Sequence, residues 1–370
     1  MTRPIKLSIH VDALRQNLSV MRRHAPQASI WAVVKANAYG HGLQAALSAF
    51  TDADGMALLD IGDADVLRRM GWRKPILMLE GAFDAGDLDA MAALDLDCVV
   101  TADHQARELM ATPRVPPRVW IKLNTGMNRL GFSSARDLPQ LARMLPGIRR
   151  RLAMSPGWMT HFSDADTPDG WQQQLARFSQ ALPALWQACG DATGPCSLAN
   201  TAATMAAPQT HADWVRPGIG LYGASPFASC PGGATAHSLG LAAGQTLSSR
   251  LIAVQRIDAG ETVGYGSRFR ASRPARIGVV AAGYADGYPR NAPDGTPVWV
   301  AGRVVPLAGR VSMDMITVDI TDHPGADVGA EVELWGARLA VDEVAIACGT
   351  IGYELMTRVT ARVPREMHGT

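Results

Sequence analysis

Lys35 stands where an apolar run, Trp31-Ala32-Val33-Val34, stops, and two glycines, Gly40 and Gly42, follow before a helix-like pattern of Leu43, Ala46, Leu47 and Phe50 begins. The order reads as strand, loop, helix, with an amine at the end of the strand. Long basic side chains usually carry their charge out to solvent from such a place. Held at a buried strand end instead, the ammonium is disfavoured by desolvation and its pKa falls. The free amine is then a nucleophile able to form a Schiff base with an aldehyde.

A second basic pair, Lys122 and Arg129, flanks the turn in Trp120-Ile121-Lys122-Leu123-Asn124-Thr125-Gly126-Met127-Asn128-Arg129-Leu130-Gly131-Phe132. An apolar strand before the first and a glycine-bounded loop before the second suggest cations directed at a pocket, suited to a carboxylate. His161, Asn200, Thr201 and Arg216 each follow or end a short apolar run. Gly218, Gly220 and Gly223 spell the spacing of a dinucleotide-binding loop, but Pro226 and Pro231 come next and no acid stands near residue 240. That excludes the dinucleotide reading. Backbone amides at those glycines still suit a phosphate.

The elements that must position these residues alternate. After an opening strand (5–11) and helix (12–23), strands are expected at 30–34, 55–59, 76–79, 97–101, 118–123, 158–162, 196–199 and 213–216, with helices such as 63–70, 103–111, 134–145 and 171–188 between them. Eight strand-helix units predict an α/β fold, a parallel (β/α)8 barrel, although an open doubly wound sheet alternates in the same way. In a barrel, Lys35, His161, Asn200, Thr201 and Arg216 would all lie at strand ends on one face.

Residues 229–244 read as a linker. Beyond it β-branched runs at 251–257, 276–282, 297–305, 315–320 and 331–335 lie close together between glycine turns, which predicts a β-rich second domain. The expected domains are 1–230, the barrel, and 231–370, with the first ten or so residues available to pair with the second. Of six tyrosines, Tyr265, Tyr284 and Tyr353 lie directly beside glycine in this second part, and Met313 and Asp314 form Ser-Met-Asp-Met.

The length of 370 residues suits two domains, and 47% apolar with 19% charged residues is a globular balance. A net charge of +1, from 35 basic and 34 acidic residues without blocks, offers no footprint for nucleic acid or an anionic membrane. No apolar run is long enough to span a bilayer and no signal-peptide core opens the chain, so a cytoplasmic enzyme is expected. Five cysteines without paired spacing indicate neither a disulfide framework nor a metal site.

The stretch Val33-Val34-Lys35-Ala36-Asn37-Ala38-Tyr39-Gly40-His41-Gly42 resembles the cofactor-lysine motif of bacterial alanine racemases, and the other segments quoted above resemble that family in the same order along nearly the whole chain. The resemblance implies pyridoxal 5'-phosphate carried by Lys35, its phosphate held by Tyr39, Thr201, Gly218, Ile219 and Tyr353, with Asn200 close by. Arg216 would meet the pyridine nitrogen and His161 would join the network of that arginine. Arg129 would orient Tyr265 and reach the substrate carboxylate, which the backbone amide of Met313 would also contact. Lys122 matches a lysine that the family often carbamylates. Tyr284 and Asp314 would line the mouth of a site shared in a homodimer, with Tyr265 and Met313 lent by the partner. Two positions depart from the family pattern: Thr201 stands where many members have serine, and Asn124 where many have aspartate.

Racemisation removes an α-proton from one face of a carbon and returns one to the other, so two opposed groups serve it most simply. The resemblance makes Lys35 one and Tyr265 the other, with nearby cations lowering a phenol pKa of about 10. The implied reaction is the interconversion of L- and D-alanine. Alternatives with the same residues are a racemase for another small amino acid such as serine, or a non-catalytic pyridoxal-phosphate-binding protein. The latter class lacks the β-rich domain.

Overall fold

The computed structural model describes residues 3–190 and 193–369. The chain divides into two compact units. One holds residues 18–38 and 50–218, the other residues 1–17, 39–49 and 219–370.

The opening strand, β1 (Lys6–His10), belongs to the second unit. The first unit is a closed ring of eight parallel strands: β2 (Ser29–Val33), β3 (Gly55–Leu58), β4 (Ile76–Met78), β5 (Asp97–Val100), β6 (Val119–Asn124), β7 (Gly157–Met159), β8 (Cys196–Ser197) and β9 (Trp214–Val215). Each pairs with the next, and β9 closes on β2 through Trp214 opposite Ser29 and Val215 opposite Ile30. A two-residue strand, Phe132–Ser133, pairs with β6 outside the ring. Strands β3, β4, β5 and β7 are buried at every position, as strands covered on both faces must be. The alternation of the sequence therefore resolves as a barrel and not as an open sheet.

Tryptophan fills the start of the barrel. Trp31 stacks on Trp214 at 4.3 Å and meets Trp120 edge-on at 6.3 Å, and Trp31, Trp120 and Trp158 are fully buried. Trp120, Trp158 and Trp214 lie in the first two positions of their strands and Trp31 in the third, so this layer sits toward the start of the barrel. Two glycines make room: a Cβ on Gly55 would lie 2.2 Å from the Trp31 ring, and one on Gly157 would lie 2.3 Å from the Trp120 ring.

Helix Ala85–Ala93 was not among the helices named from the sequence, and its inward residues, Leu88 and Met91, sit among alanine, glycine and aspartate. Its start is chemically marked nonetheless, since Asp84 accepts from the N–H of Asp87 at 2.9 Å.

In the second unit β1 runs antiparallel to β10 (Gln245–Ile257), Leu7 opposite Leu247. The short strands Thr262–Val263 and Phe269–Arg270 pair separately on either side of Tyr265, while the unit's larger sheet continues with β11 (Ala275–Val280), β12 (Pro297–Val300), β13 (Arg303–Pro306), β14 (Ile316–Asp319), β15 (Glu331–Trp335) and β16 (Arg365–His368). Their order is β13-β12-β15-β10-β1-β16, with β11 joining β10 to β14. The run 297–305, read as one strand, is a hairpin. Ala301 and Gly302 both take positive φ, at 42° and 98°, and reverse the chain.

Gly55→Ala and Gly157→Ala should each force a tryptophan out of its packed position. The expected loss is about 1–3 kcal/mol, read as a lower denaturant midpoint with an unchanged slope.

Candidate active site

Strand β2 ends at Val33, and Lys35 opens the turn that follows, which the sequence reading took for a plain loop. Ala36, Asn37, Ala38 and Tyr39 all lie in the left-handed region, with φ of 54°, 53°, 53° and 51°. L-residues resist this conformation at about 1–2 kcal/mol each, so four in succession is a concentrated strain. Short side chains at 36–38 limit the clash, and the Ala38 N–H donates to Val34 O at 2.9 Å. In the second unit the Tyr39 ring stacks on Tyr222 at 4.5 Å, with Tyr353 6.0 Å away. His41 joins that group, its ring tilted against Tyr222 at 4.7 Å. Burial pushes the phenols of Tyr39 and Tyr222 upward, so both stay protonated.

In the barrel unit Lys35 is half-buried, and its pKa is lowered first by burial and then by Arg129, against a raising effect of Glu80. Lys122, inside β6, is buried and lowered to about 8, by desolvation first and then by Arg216, Arg129 and Lys35. These mutual effects bring Lys35, Lys122, Arg129, His161 and Arg216 into one electrostatic cluster, and Glu80, two residues beyond β4, is the carboxylate that acts on both lysines.

Arg129 is exposed on a turn built by Asn124. The Asn124 Oδ1 accepts from the N–H of Gly126 at 3.1 Å and of Asn128 at 3.0 Å, while its Nδ2 donates to Asn128 Oδ1. An aspartate could accept the first two bonds but not give the third. The residue that departs from the family pattern thus has its own work in shaping the loop.

Arg216 is buried just past β9. It donates from Nη1 to Ser197 Oγ at 2.6 Å, and from Nη2 to Thr160 O at 2.6 Å, Leu198 O at 3.2 Å and His161 Nδ1 at 3.4 Å. Because a guanidinium only donates, Nδ1 must be the acceptor and the imidazole neutral. Burial first, then Arg216, Lys122, Arg129 and Lys35, hold His161 well below its ordinary value. The Nε–H of Arg216 and one of its two Nη1 protons are the donors these bonds leave over. Desolvation lowers Arg216 only to about 10, so it remains charged at neutral pH.

Thr201 Oγ1 accepts the N–H of Gly218 at 2.8 Å, which leaves its own proton to donate. Asn200 caps the helix Thr201–Ala206 by accepting from the Ala203 N–H at 3.1 Å, and its Nδ2 donates to Phe162 O at 3.3 Å. This donor set fits an anionic cofactor with an acceptor ring nitrogen: a surplus of cations, a free hydroxyl proton on Thr201 and a spare guanidinium N–H on Arg216. Among the described residues no group of His, Cys, Asp and Glu is placed to hold a metal ion.

The second unit holds the other assigned residues. Ile219 begins a short turn, 219–222, and is buried, while Tyr353 lies on helix Gly352–Arg358. Tyr265 is 70% exposed between Gly264 and Gly266, both at positive φ. Tyr284 and Met313 lie on adjoining turns, the Tyr284 N–H donating to Ser312 O at 3.0 Å, and Asp314 Oδ1 accepts from Arg362. Tyr222 and His41 received no role from sequence, although both stand in the glycine-bounded segments singled out there.

The alanine racemase N-terminal domain family matches residues 9–226, and the alanine racemase C-terminal domain family matches residues 245–367. The chain is 51% identical over 371 residues to an alanine racemase of Ralstonia nicotianae, covering 98% of this chain and 95% of that one. The biosynthetic alanine racemase of Pseudomonas aeruginosa superposes with a TM-score of 0.91 at 44% identity, with full coverage of both chains. An alanine racemase of Bartonella henselae, solved with covalently bound pyridoxal phosphate, superposes with a TM-score of 0.87 at 26% identity, covering 99% of this chain and all of that one.

A neutral His161 makes stability depend on acid. Below its unfolded value of about 6.5 the unfolded chain takes up a proton that the folded site refuses, so stability present above that pH is lost as pH falls. Urea midpoints at pH 7 and pH 5 should show the drop, and His161→Gln should reduce it.

Proposed function

Given that the chain belongs to the alanine racemase family and interconverts L- and D-alanine with pyridoxal 5'-phosphate, we propose that Lys35 and Tyr265 are its two bases. Tyr265, with Met313, is lent by a second copy in a homodimer. The observation that carries this reading is the Lys35 amine. It is half-buried among cations that favour its uncharged form, at the end of a barrel strand where such folds do their chemistry. The 70% exposure of Tyr265 supports the lending, since an aromatic so displayed is available to another molecule. A serine racemase or a non-catalytic carrier draws no support from the relatives, which are alanine racemases.

Lys35 would hold the cofactor, with Thr201, Gly218, Tyr39, Ile219 and Tyr353 on its phosphate and Asn200 shaping the Thr201 helix start. When bound, the cofactor draws electron density from the amino acid's α-carbon and so makes that proton removable. Arg216 would face the ring nitrogen through Nε. Being charged and reluctant to release its proton, it leaves that nitrogen unprotonated and restrains side reactions such as transamination. His161, as a neutral acceptor, holds Arg216 without competing for the charge.

Arg129 and the Met313 amide would bind the substrate carboxylate, and Arg129 would also orient the Tyr265 phenol and favour its ionised form. With a pKa near 8, Lys122 is partly an uncharged amine at neutral pH, the form that carbamylation needs. Carbamylated, it becomes an anion beside Arg129. Tyr284 and Asp314 would line the way in. We also propose that the barrel domain spans residues 1–230 and the β-rich domain residues 231–370, a division supported by the family matches, one of which ends at residue 226 and the other of which begins at residue 245. We also place the enzyme in the cytoplasm. Among the described residues no helix is long and apolar enough to cross a membrane.

Tyr265→Phe should lower turnover about 10²–10⁴-fold, with proton abstraction from L-alanine harmed more than from D-alanine. Solvent-proton exchange followed separately from each enantiomer measures the asymmetry, and equal losses would refute the two-base assignment. Lys35→Ala should remove the visible absorbance that borohydride bleaches. Mixing the Lys35→Ala and Tyr265→Phe proteins should restore activity, because a hybrid dimer has one site with both bases. No recovery in a verified hybrid would exclude the lending.

A further inference from the structure

The tail unit contains a buried charge that the roles above leave unused. Asp286 is fully buried and its carboxylate accepts from Arg3 Nη1 at 2.8 Å, Arg3 Nη2 at 3.1 Å, Arg362 Nε at 2.8 Å and the Gly283 N–H at 2.8 Å. The two arginines come from opposite ends of the chain, and both continue to one further residue. Arg3 Nη2 donates to Asp314 O at 2.7 Å, and Arg362 Nη2 donates to Asp314 Oδ1 at 2.5 Å.

Asp314 belongs to a tight turn in which the Ser312 N–H donates to Met315 O at 2.9 Å. The carbonyls of this turn are all engaged. Ser312 O accepts from Tyr284 and Met313 O from Ala285, each at 3.0 Å, and Asp314 O accepts from Arg3. The approach requires glycine, since a Cβ on Gly283 would lie 2.3 Å from Met313 O. Yet the Met313 N–H takes no partner among the described residues, and Met313 is 53% exposed. A peptide donor whose neighbouring carbonyls are all tied down cannot swing, so it is already oriented for an incoming acceptor.

We propose that Asp286, Arg3 and Arg362 are positioning residues that fix the Met313 amide for the carboxylate of the amino-acid substrate. This rests on the reading that Met313 serves the site of a second copy. Asp286 aligns the two guanidinium forks, and the forks hold the Asp314 peptide and side chain, which sets the angle of the donor before them. Lysine could keep one charge but could not span two carboxylates.

Both arginines are partly exposed, whereas replacing Asp286 would strand two cations beside a buried cavity and endanger folding. The test therefore uses Arg362→Lys in the holoenzyme. KM for both alanine enantiomers should rise about tenfold while kcat changes less than about threefold, and competitive inhibition by propionate, which has the carboxylate without the amine, should weaken by the same factor. Arg3→Lys should act in the same sense. Cofactor absorbance and dimer elution should stay as in the wild type. A fall in kcat with KM unchanged, or a raised KM with unaltered propionate inhibition, overturns the proposal.

A hybrid of Arg362→Lys with Lys35→Ala, purified on two affinity tags, separates this from the two-copy reading. Its one competent site pairs the Lys35 of one copy with the intact tail of the other, so KM should return to the wild-type value. A KM still raised in the hybrid would keep the positioning role and refute the lending of Met313.

Discussion

A guanidinium has no neutral form to retreat to at physiological pH, so burying Arg216 constrains everything around it. Its bonds reach the hydroxyl of Ser197 in β8 and the backbone just beyond β7 and β8, and they require His161 to be an acceptor. Charge placed there also depresses Lys122 and, together with Lys122, Arg129 and Lys35, His161. A barrel end so biased toward positive charge favours an anion. It also shifts Lys35, Lys122 and His161 toward the uncharged forms that nucleophilic and proton-transfer chemistry requires, in addition to the effect of their burial.

The scaffold concentrates its apolar packing and its strain at separate places. Tryptophan rings admitted by Gly55 and Gly157 pack toward the start of the barrel, whereas Lys35, His161 and Arg216 follow the strands at its other end. Directly after Lys35, four non-glycine residues hold a left-handed turn that no local preference supports. Such strain persists only where surroundings over-determine it. The stacked rings of Tyr39 and Tyr222 are part of what does so.

The tail unit uses glycine to opposite effect at two of its turns. Around Tyr265, Gly264 and Gly266 supply positive φ, and the phenol is displayed to solvent. At Gly283 the missing Cβ lets one turn close on another, and Met313 is held in place while its N–H stays open. Displayed side chain and fixed backbone donor are complementary ways for one molecule to offer groups to another.

Element identity was legible from local chemistry. The apolar runs of the barrel strands, the break at Lys35 and the β-branched runs after residue 250 announced themselves because periodicity and turn chemistry are properties of short segments. Helix Ala85–Ala93 was not named and the hairpin at Ala301 and Gly302 was read as one run, because their signals, one capping aspartate and one glycine, are a single residue each. The chain by itself determined which residue types stand at strand ends, and hence an amine suited to an aldehyde, cations suited to a carboxylate and the family they resemble. Only the tertiary structure decided that the eight strands close into a ring, that His161 is neutral because Arg216 donates to it, and that Asp286 joins the two ends of the chain at one turn. Those facts depend on burial and on hydrogen-bond partners distant in sequence, and a linear pattern carries neither.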